Sequence, residues 1–370
     1  MFSYILRRLF YMVPIVIGVM LITFVLFNIM MSPDAMASRH LGLKASKQAR
    51  ENWLHNRGFD KAVFLDLSDS ATGSAYERTT AKIAGGVGWF FGPIPAENFQ
   101  ARVRLFAFPS SAAGRGATRF DTQFFRSLKS FALFDLGVSD ATGEPVLDMF
   151  KRGAVPSLMI TLPAFVLGFF LSLGLSLFFV FVRDSRIDVW GAVACVGLMS
   201  LSIMVYAIGS QWLLASQFMY FPAFGFHLEG GSTARFVAIP IIAMVIGGLG
   251  SEVRLYRAIF LEEVRADYVR TAQAKGASAA RVLFVHVLKN GMISLITLVV
   301  ASLPFLIMGS VVIESFFGIP GIGSFARNAI PTADFALLRA DVYVGSLLYL
   351  SGLLLTDICY AIADPRIRLS

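Results

Sequence analysis

The chain has 370 residues, 56% hydrophobic and only 15% charged, with 35 phenylalanines and a mean hydropathy of +0.69. Together with uncharged runs longer than about 18 residues, this balance excludes a soluble enzyme, a disordered chain and a disulfide scaffold, and describes a polytopic membrane protein. The formal charge of +8 is of the kind that Lys and Arg held in cytoplasmic loops produce, and it calls for no nucleic-acid partner.

In chain order, Tyr11 to Met31 is uncharged and follows Arg7 and Arg8, which predicts a first span with a cytoplasmic N-terminus. The run exceeds the roughly 7–15 apolar residues of a signal peptide, so it reads as a retained helix. Residues 32–152 differ in composition, with Gly, Ser, Pro and Thr clustered at Ser68–Ser74, Gly85–Pro95 and Pro109–Thr118, as in a soluble insert. Within it Ala45–His55 predicts a short helix, Arg102–Phe108 allows a strand, and the aromatics of Phe120–Phe134 recur at helical spacing. Gly153 to Val182 carries no charge and predicts the second span, with Pro156 and Pro163 inside it. Val189 to Phe226 is too long for one helix and is interrupted by Pro222, so a third span ends near Ala215. Phe236–Ser251, Asn290–Ile313 and Val342–Thr356 supply the fourth, fifth and sixth, the first and last of these extended by polar-tipped turns at their cytoplasmic ends. Cys195 and Cys359 both lie in apolar runs and imply neither a disulfide framework nor a metal site.

Six spans return both termini to one side, and charge supports that side as cytoplasmic. Its segments hold Arg7, Arg8, Arg183, Arg186, Arg254, Arg257, Arg265, Arg270, Lys275, Arg281, Lys289, Arg366 and Arg368, against Arg235, Arg327 and Arg339 in the short outer loops. Residues 32–152 carry sixteen Lys and Arg against twelve Asp and Glu, and parity makes that domain extracytoplasmic. The chain therefore divides into residues 1–31, the outer domain 32–152, and a five-helix core 153–370.

The long inner loop Glu252–Lys289 contains a self-contained short helix. Asp267 is placed to cap it, Tyr268–Lys275 make about two turns or roughly 12 Å, and Gly276 suits the left-handed position that follows. Lys275 lies at the negative end of the helix dipole. Ala272, Ala274, Gly276 and Ala277 are small enough to enter a groove on another protein, while Tyr268, Thr271 and Lys275 share one edge. On spacing alone, a solvated connector remains the alternative.

Tyr268-Val-Arg-Thr-Ala-Gln-Ala-Lys-Gly276, continuing through His286-Val-Leu-Lys-Asn290, resembles the coupling-loop motif of binding-protein-dependent ABC importer permeases, in the dipeptide and oligopeptide branch. Tyr4-Ile-Leu-Arg-Arg-Leu9, Asp135-Leu-Gly-Val-Ser139, Gly318-Ile-Pro-Gly-Ile-Gly323 and Asp364-Pro-Arg-Ile367 add to the resemblance. It covers most of the chain apart from about Leu65–Arg119, which looks like an insertion. Two departures stand out: Arg270, Thr271 and Ala272 precede the glycine where the general motif has an acidic residue and two alanines, and Lys289 replaces the commoner Arg.

The resemblance implies an all-α protein of the type I importer permease fold, with six transmembrane helices and a mixed extracytoplasmic insertion between the first two. It implies a bacterial inner-membrane location and four kinds of neighbour: a homologous second permease, two cytoplasmic ABC ATPases, an extracytoplasmic peptide-binding protein, and membrane lipid. ATP and Mg would be held by the ATPases, leaving this chain with no cofactor and no metal. Asp267, Tyr268, Arg270, Thr271, Ala272, Ala274, Lys275 and Gly276 become the ATPase-coupling residues. His286, before the fifth span, either senses pH or packs against the coupling helix. The insertion either docks the binding protein, through Trp89-Phe-Phe91 and Arg102-Val-Arg104, or packs only on itself.

No phosphate-cradling G-x-x-x-x-G-K-[ST] occurs, nor H-E-x-x-H or G-x-S-x-G, and His40, His55, His227 and His286 are scattered. The chain is thus expected to hydrolyse nothing by itself. Asp357, near the inner end of the last span, reads either as a functional carboxylate or as one solvated beside Asp364 and Arg366. Glu314 opens a Gly- and Pro-containing stretch that suggests an irregular or re-entrant segment. With Phe317, Pro320 and Gly321 it either gates or lines a substrate path, or belongs to a capped turn. A receptor or channel that needs no ATPase, with the outer domain as ligand sensor, is the alternative from a different class.

Overall fold

The computed structural model describes residues 2–30, 37–38, 41–42, 46–56, 123–227 and 233–363. The insertion at 65–119, the strand expected at 102–108, the patches at 89–91 and 102–104, and the ending 364–367 lie outside the described residues.

Among the described residues the regular structure is helical, with one isolated antiparallel bridge between Val138 and Pro145. The helices are α1 (Phe2–Met30), α2 (Lys47–Asn56), α3 (Gln123–Ala132), α4 (Val146–Phe181), α5 (Arg186–Met199), α6 (Ile203–Gln211) and α7 (Thr233–Val264). Then come α8 (Asp267–Ala274), the single turn α9 (Ala279–Arg281), α10 (Leu288–Met308), α11 (Val311–Phe317), α12 (Ile322–Thr332) and α13 (Phe335–Ala363). Two π-helical turns, Trp212–Gln217 and Val282–Val287, continue α6 and lead into α10. Five of the described helical runs are long and apolar enough to cross a membrane, and a sixth is counted if α5 and α6 with its π turn form one span.

Three expectations about the spans need correction. The third is not one helix, since α5 and α6 meet at a bend of 91°. Ser200 closes the first by donating its N–H to Val196 O, and the Ser202 side chain accepts from Met204 N to start the second. An uncharged run conceals such a break because hydropathy is blind to capping. The fifth span stops at Met308, five residues early, because Gly309 takes a left-handed φ of +74° and Ser310 caps a new helix. The helix of the fourth span runs well past Ser251 and its expected polar-tipped turn, because α7 continues to Val264, so the segment Glu252–Lys289 begins as helix. Glu252 is therefore helical, and its Oε2 accepts from the Ser172 hydroxyl at 2.8 Å, alongside the uncharged run of α4.

The described residues pack as two units. The larger falls within Met1–Met12, Asp148–Asn328 and Val344–Ser370. One end of it is filled by Leu177 and Val180 of α4, Tyr256 and Phe260 of α7, Val269 of α8, Val282, Leu283 and Val287 of the second π turn, and Leu295 of α10. The other end is filled by Ile160, Ala207, Ile239, Ala243, Ile313, Phe317 and Ile319. Between them α5 and α7 approach closely: a Cβ on Gly250 would stand 2.6 Å from Cys195 O. Small residues at such crossings let helices gain dispersion contact where lipid gives little hydrophobic drive.

The smaller unit falls within Val13–Leu147 and Ala329–Tyr343. Asp334 is its hub, 2% exposed, and caps α13 by accepting Leu337 N on Oδ1 at 3.1 Å. The same carboxylate accepts Asp140 N at 2.9 Å and the Ser139 hydroxyl, while Asp140 Oδ2 accepts Ala336 N at 3.0 Å. The Asp135-to-Ser139 stretch is thus a turn fastened reciprocally to a helix start, and Asp135 Oδ1 shapes it by accepting Gly137 N. Phe24 packs edge-on against Phe124, and the Tyr343 hydroxyl donates to Phe131 O at 2.9 Å.

Candidate functional site

The short helix α8 forms, but its start lies one residue earlier than expected. Ala266, at φ −68° and ψ 149°, occupies the cap position and offers no side-chain oxygen. Asp267 is the first helical residue and not the cap, because α7 closes with Arg265 N donating to Glu262 O and Ala266 N to Glu263 O. Only Ala266 is left to extend the backbone. Asp267 still favours the positive end of the dipole, and its Oδ1 lies 3.8 Å from Arg270.

At the other end the chain turns on Gly276, at φ +82°. Gly276 N donates to Gln273 O at 2.9 Å and Ala277 N to Ala272 O at 3.1 Å, the paired bonds of a Schellman ending. Ala272 and Ala277 pack on the same apolar cluster that buries Val269. Among the described residues a Cβ placed on Gly276 meets nothing within 4 Å.

These contacts divide the expected residues into two faces. Val269 is 1% exposed, and Tyr268 and Ala272 are half-buried beside it. Asp267, Arg270, Thr271, Ala274, Lys275 and Gly276 are exposed. Tyr268 lies on the stripe of Thr271 and Lys275, three and seven positions on, but is half-buried where they are exposed. Helical side chains lean toward the N-terminus, which in the first turn carries the phenol back over the end of α7. There its hydroxyl donates to Glu263 Oε2 at 2.5 Å. Burial first, and then the bond to Glu263, push the Tyr268 pKa up, while the Asn290 side chain pulls it the other way. The phenol consequently stays protonated, and a donor, through the neutral range. His286 is half-buried within the π turn that underlies α8.

Glu314 sits in a different setting. It belongs to α11, which starts at Ser310 and ends at Gly318 with φ +70°. Its side chain is fully buried. Oε1 accepts the Ser157 hydroxyl at 2.8 Å and Ser310 N at 3.1 Å, and Oε2 accepts Ser324 N at 2.9 Å. Ser157 Oγ also accepts Ile322 N at 3.0 Å. Glycine is required in this cradle, since a Cβ on Gly321 would lie 2.4 Å from Glu314 Oε2. The expected irregular segment is thus two helices joined by a tight turn around one carboxylate. Glu314, Gly321 and Phe317 are buried there, while Pro320 is exposed.

Two ion pairs escaped sequence reasoning. Arg257 of α7 grips Asp188 of α5 through two bonds of 2.9 and 2.6 Å, with Asp188 almost buried. The available signal was the Ser185-x-x-Asp188 spacing of a helix start, where Asp188 N does donate to Ser185 Oγ. Arg8 lies 3.1 Å from Asp357, whose neighbours had been sought only nearby in sequence.

The site offers two membrane-length helices joined by a short one whose outer face is polar, small and bare. Residues 154–369 match the family described as binding-protein-dependent transport system inner membrane component. The dipeptide transport system permease protein DppB of Lactococcus lactis subsp. cremoris is 30% identical over 228 residues, 62% of this chain and 74% of that protein. DppB of Bacillus subtilis is 29% identical over 252 residues, 67% and 79% of the two chains. The inner membrane ABC transporter permease protein YejB of Escherichia coli O157:H7 is 30% identical over 270 residues, 66% and 71%. A multi-pass chain, helical among its described residues, whose family match covers more than half its length belongs, on these grounds, to the peptide-type permeases of binding-protein-dependent ABC importers.

Proposed function

We propose that this chain is a translocation subunit of an ATP-driven importer that carries peptides across the bacterial inner membrane, and that α8 docks into a groove on a separate cytoplasmic ATPase. The observation that carries this reading is the division of α8 into a face seated on the core through Val269 and a face left bare at Arg270, Thr271, Ala274, Lys275 and Gly276. Two turns, about 12 Å, suit a knob entering a socket. Asp267 is exposed beside that knob and Ala272 shapes it from the seated side, and the Lys and Arg distribution supports its placement inside with both termini.

The partners in this reading are a second permease, two ATPases that hold ATP and Mg, and an extracytoplasmic binding protein that delivers cargo to the side bearing residues 32–152. The names of the relatives support peptides as cargo. ATP-driven closure of the ATPases pushes α8, and the path opens alternately to each side. Cargo shifts that equilibrium only through unequal affinity for the two states. Glu314, Phe317, Pro320 and Gly321 form a fixed rim of the path, held by the carboxylate.

Replacing Gly276 with Trp is the direct test, because no atom among the described residues stands within 4 Å of the added Cβ. The variant should reach the membrane folded yet lose transport and ATPase coupling; unchanged transport would remove α8 from the coupling role. Purification in mild detergent separates the classes of function. Recovery of two nucleotide-binding subunits supports the importer, and their reproducible absence supports an ATPase-independent receptor or channel.

A further inference from the structure

We propose that Tyr268 is a positioning residue: its hydroxyl, seated on Glu263, fastens α8 to the end of α7, so that a push on the short helix moves the membrane-length helix with it. This rests on the reading that α8 receives that push. It gives Tyr268 a role different from docking, and it assigns Glu263 a role that the motif does not suggest.

The connection between the two helices explains why a fastener is needed. Only Arg265 and Ala266 separate α7 from α8. Each residue carries two soft backbone torsions, so the covalent link alone is a swivel. Val269 anchors the inner face, but apolar burial is non-directional and permits sliding and rotation. The bond from Tyr268 to Glu263 is directional, at 2.5 Å, and spans the swivel from the first turn of α8 to the last turn of α7. Asn290, in the first turn of α10, approaches the same hydroxyl, so the phenol oxygen stands where three helices meet.

A second directional link continues the route. Arg257 lies six residues before Glu263, about 9 Å along α7, and holds Asp188 of α5 through its two bonds. Displacement of α8 is thus delivered through α7 to the bent pair α5 and α6.

The test uses the complete transporter with its ATPases, reconstituted in lipid vesicles. Spin labels at Gln273 of α8 and Leu255 of α7, both exposed, report their separation with nucleotide absent and with ATP and vanadate trapped. In the parent the separation should be the same in both states, because the helices move together. Tyr268→Phe keeps the ring and its packing but removes the donor. Losing a bond to a charged acceptor shifts the fastened-to-free ratio about tenfold. The variant should therefore show a broadened, nucleotide-dependent separation and reduced stimulation of ATP hydrolysis, with full recovery of ATPases. Glu263→Gln keeps an acceptor oxygen and should fall between, and the double variant should be no worse than Tyr268→Phe alone.

An unchanged separation in Tyr268→Phe overturns the fastening role while leaving α8 as the docking helix. Loss of the ATPases from Tyr268→Phe also overturns it, by putting the phenol in the docking face. Failure of the underlying reading looks different: no ATPases are then recovered even with the parent chain.

Discussion

The two ends of the larger unit treat short helices in opposite ways. Around Glu314 a seven-residue helix is walled in, every oxygen of its carboxylate is occupied, and glycine admits the neighbouring backbone. Before Lys275 an eight-residue helix is seated along one edge, while Arg270, Thr271 and Ala274 on the rest of it are exposed. A buried polar group must be satisfied from within, so the first region reads as internal bracing. A bare helix with a well-made ending fits the proposed contact with another polypeptide.

This contrast can be broken most forcefully at Glu314. Glu314→Leu keeps the volume but strands the Ser157 hydroxyl and the amides of Ser310 and Ser324, so thermal unfolding in detergent should show a loss of about 3 kcal/mol or more. An unaltered melting temperature would mean that water reaches those groups and that the bracing account is wrong. Gly321→Ala forces a methyl into contact with the carboxylate and should cost about 1–3 kcal/mol by the same measurement. Asp188→Asn, midway along the unit, leaves Arg257 with a neutral partner that is still able to accept. With Arg257 partly open to its surroundings, we expect a loss of about 1–2 kcal/mol.

At the bare end the order should reverse, with little effect on stability and much on transport. Gly276→Ala imposes only the left-handed backbone penalty, about 1 kcal/mol. Lys275→Ala should change unfolding by less than about 0.5 kcal/mol. Transport assayed beside unfolding sharpens the contrast: a fall in uptake far beyond these small losses locates the missing contact in another polypeptide. Uptake that follows stability would make the bare face a mere surface.

Much of the helical framework was legible because its causes are local. Thirty uncharged residues at 153–182 announce α4, and the Gly276 ending of α8 follows from the only residue type that turns left-handed without strain. What escaped depends on partners distant in sequence. Glu314 could be noticed as a carboxylate beside glycines, but not as the acceptor for Ser157, which lies 157 positions away. Asp334 drew no attention although it organises the smaller unit through Ser139 and Asp140. Spacing places Tyr268 on the edge of Thr271 and Lys275 but does not give the lean of its ring toward the helix start, which carries the hydroxyl to Glu263. The break after Met199 and the continuation of α7 past Glu252 show the same limit. Hydropathy reports average polarity, whereas a cap or a hydroxyl partner decides where a helix ends and which charges it carries along.

The wide turn at Val282–Val287 has a mechanical consequence of its own. Leu288 N bonds to Leu283 O, five residues back, so this stretch accommodates one residue more per loop than its α-helical continuation. Such a surplus can migrate along a helix by exchanging single bonds in succession, like a ruck moved through a carpet. The helix above it can then rotate and shorten while its backbone amides and carbonyls remain paired throughout, which hydrocarbon surroundings demand of any moving part.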